Sequence, residues 1–266
     1  MFLHSVIVEA VSGEADTESL LGLIKTAHSL LGLVKQEKNG RAQQKGLKRQ
    51  LIRFGLLERL LQQCKVMLYK TNLTEDGMEC LAQATRMIGV LSKSRLRLKR
   101  INDSGHSKTV LQLCKCADKR VRRGAAKVLM RLSILDEWKA LVTTDSETLT
   151  GIFSLCKTDD TTIQMCAGPV LAEMAELPAN RVAMEKEGAI PCILHLLRLD
   201  IMLLNRDCMR ALALLAQAVA NRSGMMIRCL DAVLDMLWSN DTLTQDFAVR
   251  LPAPRMRRLP PHAALR

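Results

Sequence analysis

Histidine and cysteine are the side chains of this sequence best able to act as bases, nucleophiles or metal ligands near neutral pH. The five histidines, His4, His28, His106, His195 and His262, are scattered along the chain. Nine cysteines stand at positions 64, 80, 114, 116, 156, 166, 192, 208 and 229. Only Cys114 and Cys116 are close together, and two positions apart on a helix they point to different sides. The sequence contains no Cys-x-x-Cys, His-Glu-x-x-His, Gly-x-Ser-x-Gly or Gly-x-x-x-x-Gly-Lys-Ser/Thr pattern. Zinc-site, metalloprotease, serine-hydrolase and phosphate-loop chemistry therefore have no residues to carry them. The expectation is a protein that is not an enzyme and holds no cofactor or metal. His195, flanked by Ile193, Leu194, Leu196 and Leu197, reads as a packed or interface residue rather than a base.

The chemistry that remains is charge. The formal net charge of +12 is unevenly distributed. Residues 40–135 hold 22 basic and 6 acidic groups, whereas residues 136–249 hold 9 and 16. Residues 1–39 are slightly acidic, and 250–266 carry five arginines and no acid. A localised basic surface is expected rather than a uniform polycation. An odd number of cysteines, mostly among apolar neighbours, and an N-terminus without a basic leader imply a reducing compartment, cytoplasmic or nuclear. The four Asn-x-Ser/Thr sequons at Asn72, Asn102, Asn221 and Asn240 are then chance matches. The longest apolar stretch, 201–220, is broken by Asn205, Arg206 and Asp207. No run reaches the ~18 to 20 residues that span a bilayer.

Those charges must be positioned by helices. Aromatic residues are only 3% of the chain, which disfavours sandwiches and barrels, while Leu, Ala, Met, Lys and Arg favour helix. A repeat is visible. The windows Ala84–Ile88–Leu91–Ser92, Ala125–Leu129–Leu132–Ser133, Ala167–Leu171–Met174–Ala175 and Cys208–Leu212–Leu215–Ala216 recur at steps of 41, 42 and 41 residues. Each pattern of small, large, large, small buries one helical stripe, and the small first residue admits a neighbouring helix. Independently, Asn180-Arg181 recurs as Asn221-Arg222. Gly188-Ala189-Ile190-Pro191 places proline in the first turn of a helix, where its missing N–H costs nothing.

These residues resemble the armadillo repeat, a three-helix unit of roughly 40 residues. Asn180-Arg181, the Gly188–Pro191 turn, Leu196-Leu197 and the Ala/Leu helix after them make one complete unit. The resemblance implies an all-α, armadillo-type right-handed superhelical solenoid, incomplete at both ends. The expected units are a partial repeat at 1–39, a long one at 40–94, repeats at 95–136, 137–179 and 180–222, and a truncated one at 223–249. A Pro/Arg-rich disordered tail follows at 250–266. Leu20, Leu21, Leu23, Ile24, Ala27, Leu30, Leu31 and Val34 read as the last helix of an earlier unit, and the excess length of 40–94 implies an insertion or lengthened helices near 62–75. The chain reads as a truncated or alternatively ended form of a longer solenoid, or as one closed by a natural tail. In the truncated form Leu230, Val233, Leu234 and Leu237 would be partly uncovered.

In armadillo proteins the third helix of each unit lines a concave groove through two positions. The resemblance puts Arg86 and Val90, Lys127 and Arg131, Pro169 and Glu173, and Arg210 and Leu214 there. The import adaptors of the family carry Trp and Asn at those positions to clasp basic peptides. None of these eight residues is Trp or Asn, and the cations would repel a lysine-rich peptide. The expected site is a groove of Arg86, Lys127, Arg131 and Arg210, enlarged by a basic patch of Lys119, Arg120, Arg122 and Arg123. Arginine suits bidentate contacts to carboxylate or phosphate. The expected function is a protein-interaction scaffold for acidic or phosphorylated segments. The resemblance extends to armadillo arrays in co-chaperones that assemble motor proteins such as myosin or axonemal dynein. The alternative is nucleic-acid binding by the basic block, disfavoured because Phe54 and Tyr69 are its only aromatics.

Overall fold

In a computed structural model of the chain, residues 21, 22, 24, 25, 27, 40–53, 55–70, 73–140 and 145–251 are described. The tail from 252, most of 1–39, and with them His4, His28 and His262, lie outside the described residues. So do Leu20, Leu23, Leu30, Leu31, Val34, Phe54 and Asn72.

The helices follow the period. They are α1 (Gly40–Arg53), α2 (Leu56–Leu68), α3 (Glu75–Leu91), α4 (Arg95–Asp103), α5 (His106–Cys114), α6 (Lys119–Leu132) and α7 (Asp136–Lys139). Then come α8 (Ser146–Cys156), α9 (Thr161–Glu176), α10 (Pro178–Lys186), α11 (Ala189–Leu197), α12 (Met202–Leu215), α13 (Val219–Leu237) and α14 (Thr242–Val249). No strand occurs among the described residues. One layer stacks α3, α6, α9, α12 and α14 in order, and a second stacks α2, α5, α8, α11 and α13. The fold is an all-α solenoid with one continuous core, running from Ile24 to Ala248. The long segment at 40–94 is built with extended helices, 13 residues in α2 and 17 in α3 against 9 in α5 and 14 in α6.

The small residues of the four windows lie in the core. Ala84, Ala125, Ala167 and Cys208 are all buried. A close approach to neighbouring backbone falls one residue before Ala125. A Cβ on Gly124 would stand 2.8 Å from Thr85 Oγ1 and 3.2 Å from the Thr85 carbonyl carbon, so α6 lies against α3 only because Gly124 has no side chain.

Polar residues finish the helices. Thr74, Asp118, Asp145, Asp160 and Asp241 are N-caps whose side chains accept backbone N–H bonds from the first turns of α3, α6, α8, α9 and α14. The last carbonyls of a helix have no partner within it. Asn180 supplies one: its Nδ2 donates to Met174 O at 3.0 Å and to Lys139 O, one repeat back, at 2.9 Å. Asn221 repeats the bonds to Leu215 O and Arg181 O, both at 3.0 Å. Arg181 Nε donates to Ala175 O at 2.8 Å and Arg222 Nε to Ala216 O at 3.1 Å. The recurring Asn-Arg pair is thus the C-terminal seal of the preceding α9 or α12. Asn221 is accordingly a buried structural residue rather than a glycan acceptor.

Between first and second helices the chain turns on glycine. Gly55, Gly105 and Gly188 hold φ of 78°, 72° and 97°, a region open to glycine and costly to other residues. Cys229 stands 41 residues after Gly188, and there the helix does not break: α13 runs for 19 residues where two shorter helices are separate upstream. Its outer face carries Ile227, Leu230 and Leu234, with Trp238 just beyond, all exposed. Val233 and Leu237 are half-buried.

Candidate partner-binding groove

The residues expected to line a groove fall into two groups. Arg86 on α3 and Lys127 and Arg131 on α6 share one concavity of about 530 Å3, which also takes in Lys93, Arg120 and Arg123. Arg210 lies two helices further along, on α12. Pro169, at the Lys127 position of α9, sits inside that helix and offers no charge.

The cations of the concavity differ in what they already hold. Arg131 is half-buried and its Nη1 donates to Gly89 O on α3, so it fastens α6 to its neighbour. Burial pushes the Arg131 guanidinium below its ordinary value. Arg123 Nε donates to Asp160 Oδ2 at 2.6 Å, and Lys119 Nζ is 4.0 Å from the same oxygen. Arg120 pairs with Asp118 at 2.8 Å and with Glu79 on α3. Arg122 Nη1 donates to Cys116 O at 2.9 Å and Ala117 O at 2.7 Å and does not line the concavity. Most of the expected basic patch is therefore tied to its own repeat or the next.

Arg86, Lys93 and Lys127 are different. All three are exposed, and among the described residues none of their side chains makes a hydrogen bond or ion pair. Lys127 faces the next helix as well: burial pushes the Cys166 thiol up on α9, while Lys127 and Arg131 pull it the other way. Lys93 was not anticipated from the sequence. It lies one residue past the end of the repeating window, in the connection between α3 and α4, where periodicity carries no information.

Arg210 is engaged. Its Nη2 is 2.5 Å from Glu173 Oε1, and its Nε is 3.6 Å from Glu176 Oε1. Glu173 also receives Lys139 Nζ at 3.3 Å. Nearby, burial pushes the Asp207 carboxyl up, against the pull of Arg210 and Arg206.

The capping aspartates are expected to make the solenoid acid-labile. Burial alone would raise Asp160, but the Arg123 bond, the Thr162 N–H and Lys119 outweigh it, and its carboxyl is held below the usual range. At Asp241 the Arg206 pair at 2.7 Å and the Thr244 bonds do the same. A carboxylate with a depressed folded-state pKa lends stability above its unfolded value, near ~3.9, and loses it as pH falls through the folded value. These two aspartates leave the melting temperature unaffected by pH above about 5 and are expected to make it drop below about pH 4. Asp160→Asn should be less stable at neutral pH and show a shallower acid drop. An identical acid profile in that variant would exclude Asp160 from the effect.

Among the described residues no group of three or more His, Cys, Asp and Glu is arranged to hold a metal. No helix among them is long and apolar enough to cross a membrane. All cysteines are free thiols and eight are buried, Cys114 among them, whereas Cys116 is half-exposed. His195 is exposed on α11 rather than packed.

No protein-family model matches the chain, and no curated protein matches it. Solved structures do. A designed armadillo repeat protein aligns over 92% of this chain and 96% of its own, with a TM-score of 0.69 and 14% identity. Another, solved in complex with a (KR)4 peptide, covers the same shares at a TM-score of 0.66 and 14% identity. An engineered protein of a structural genomics programme aligns over 92% and 95%, with a TM-score of 0.67 and 22% identity. At such identities the likeness speaks for fold, and together with the stacked layers and the Asn-Arg seals it gives this chain an armadillo-repeat-like architecture.

Proposed function

We propose that this chain is a non-enzymatic protein-interaction scaffold whose groove over α3 and α6 receives an acidic or phosphorylated segment of a partner protein. One observation carries the reading: Arg86, Lys93 and Lys127 converge on a single concavity and have no anionic partner among the described residues. Cations that hold a solenoid together are paired, as Arg120, Arg123 and Arg210 are. Three that are not, in one concave wall, focus attraction on an anion from outside. The likeness to a design that is solved with (KR)4 supports a peptide-binding groove, and the charge of this groove selects the opposite sign. Clients of an assembly factor, the role implied by the resemblance to co-chaperones, would present such a segment.

The test is a titration with three labelled probes: an acidic peptide, its phosphoserine counterpart, and duplex DNA of arbitrary sequence. The peptides should bind, with affinity falling severalfold as salt is raised across the physiological range. DNA that binds more tightly than either peptide, with a steeper salt dependence, would instead support nucleic-acid binding by the basic block.

A further inference from the structure

We infer that Glu173 sets where the anion-reading part of the groove ends. The inference rests on the reading of Arg86, Lys93 and Lys127 as the anion-binding wall. By the repeat, Glu173 holds on α9 the position that Arg131 holds on α6, and Arg210 holds on α12 the position of Lys127. A continuous cationic wall would pass straight from α6 to α12. Glu173 interrupts it by engaging both cations within reach, Arg210 Nη2 at 2.5 Å and Lys139 Nζ at 3.3 Å.

The surroundings reinforce the interruption. Glu176 stands 3.6 Å from Arg210, Asp136 stands 3.3 Å from Lys139, and Asp207 lies close enough to feel Arg210, Arg206 and Glu173. In this stretch three cations, Lys139, Arg206 and Arg210, meet four carboxylates, and Arg206 is also taken up by Asp241, whereas the concavity before it offers three unpaired cations. Glu173 and Arg210 side chains are 23% and 27% exposed, so their pairing is partly shielded from solvent screening. An acidic segment bound over α3 and α6 meets like charge when it reaches α9. The groove therefore selects a short anionic motif followed by neutral or basic residues, not a long acidic run.

Helices in such a layer lie about 8–10 Å apart, so reaching α12 from α6 takes roughly five or six extended residues. The experiment compares labelled aspartate peptides of about four and about twelve residues against full-length wild type and Glu173→Gln. Gln keeps the size and the acceptor oxygen but releases the charge from Arg210 and Lys139. In Glu173→Gln the longer peptide should tighten about tenfold while the shorter stays within about twofold. Adding Arg210→Gln should cancel the gain.

A second measurement needs no variant. In wild type the two peptides should show the same salt dependence, because the same few cations are engaged by both. A purely structural Glu173, stapling α7, α9 and α12, predicts a lower melting temperature in Glu173→Gln and no length-selective gain. Equal tightening of both peptides, no tightening of either, or a steeper wild-type salt dependence for the longer peptide overturns the inference alone. Wild type that binds neither peptide overturns the reading of the groove, and the inference with it.

Discussion

Reversing Arg86 and Lys127 together to glutamate is expected to lower affinity for an acidic segment about a hundredfold, with helix content and melting temperature unchanged. Both side chains are exposed, and neither makes a hydrogen bond or ion pair among the described residues, so the folded state loses nothing when they change. A bound segment loses two attractions and meets two repulsions. About 1.5 kcal/mol for each reversal, a modest figure for a charge-assisted contact, multiplies to roughly a hundredfold. The Arg131→Glu variant is the instructive contrast. It would remove the bond to Gly89 O and place a carboxylate in a half-buried position, so its main effect should be on melting. Binding that survives the Arg86 and Lys127 double reversal would show that the wall is a solvated face and not a site.

The largest effect on stability is expected from Trp138→Ala. Trp138 is fully buried, although its helix α7 is only four residues long. A helix so short cannot hold itself by backbone bonds, and Leu135 and Trp138 supply its apolar anchorage. Truncating a buried tryptophan costs about 3–5 kcal/mol. More follows here, because α7 also presents Lys139 O to Asn180 and Lys139 Nζ to Glu173. The melting temperature should fall by on the order of 10 °C, given ~2–4 °C per kcal/mol for a chain of this size. Fluorescence offers a second readout, since Trp238 is 87% exposed and Trp138 is not. The variant should emit only as a solvated indole. A melt within about 1 °C of wild type would show that α7 contributes no cooperative packing.

The fold was legible because burial repeats. Ala125, Leu129 and Leu132 on α6 and Ala167, Leu171 and Met174 on α9 are buried as their spacing predicts, since the stripe is a local property of one helix. The groove was legible only in part. Arg86, Lys127 and Arg131 do line one concavity, but position does not say whether a cation is free. Arg131 is engaged by a backbone carbonyl 42 residues away, Arg123 by Asp160 at 37, and Arg210 by Glu173 at 37. Those separations are near one repeat, so an acid about one unit away from Arg123 and from Arg210 was a readable sign. What could not be read is distance, which depends on how closely Gly124 and its like let the helices approach. The merging of two helices into α13 was written at Cys229, but only as the absence of a glycine, and an absence has meaning only beside Gly188.

The Asn-Arg seals have a consequence for how the chain is made. The end of α9 is completed by Asn180 and Arg181, and the end of α12 by Asn221 and Arg222, residues that leave the ribosome only afterwards. The long-range halves of the bonds, to Lys139 O and Arg181 O, span 41 and 40 residues. A nascent unit is therefore finished by the arrival of its successor, and folding trails synthesis by one unit. At ~5–20 residues per second that lag is about 2–8 seconds for each repeat, during which the long-range half of its seal is still missing.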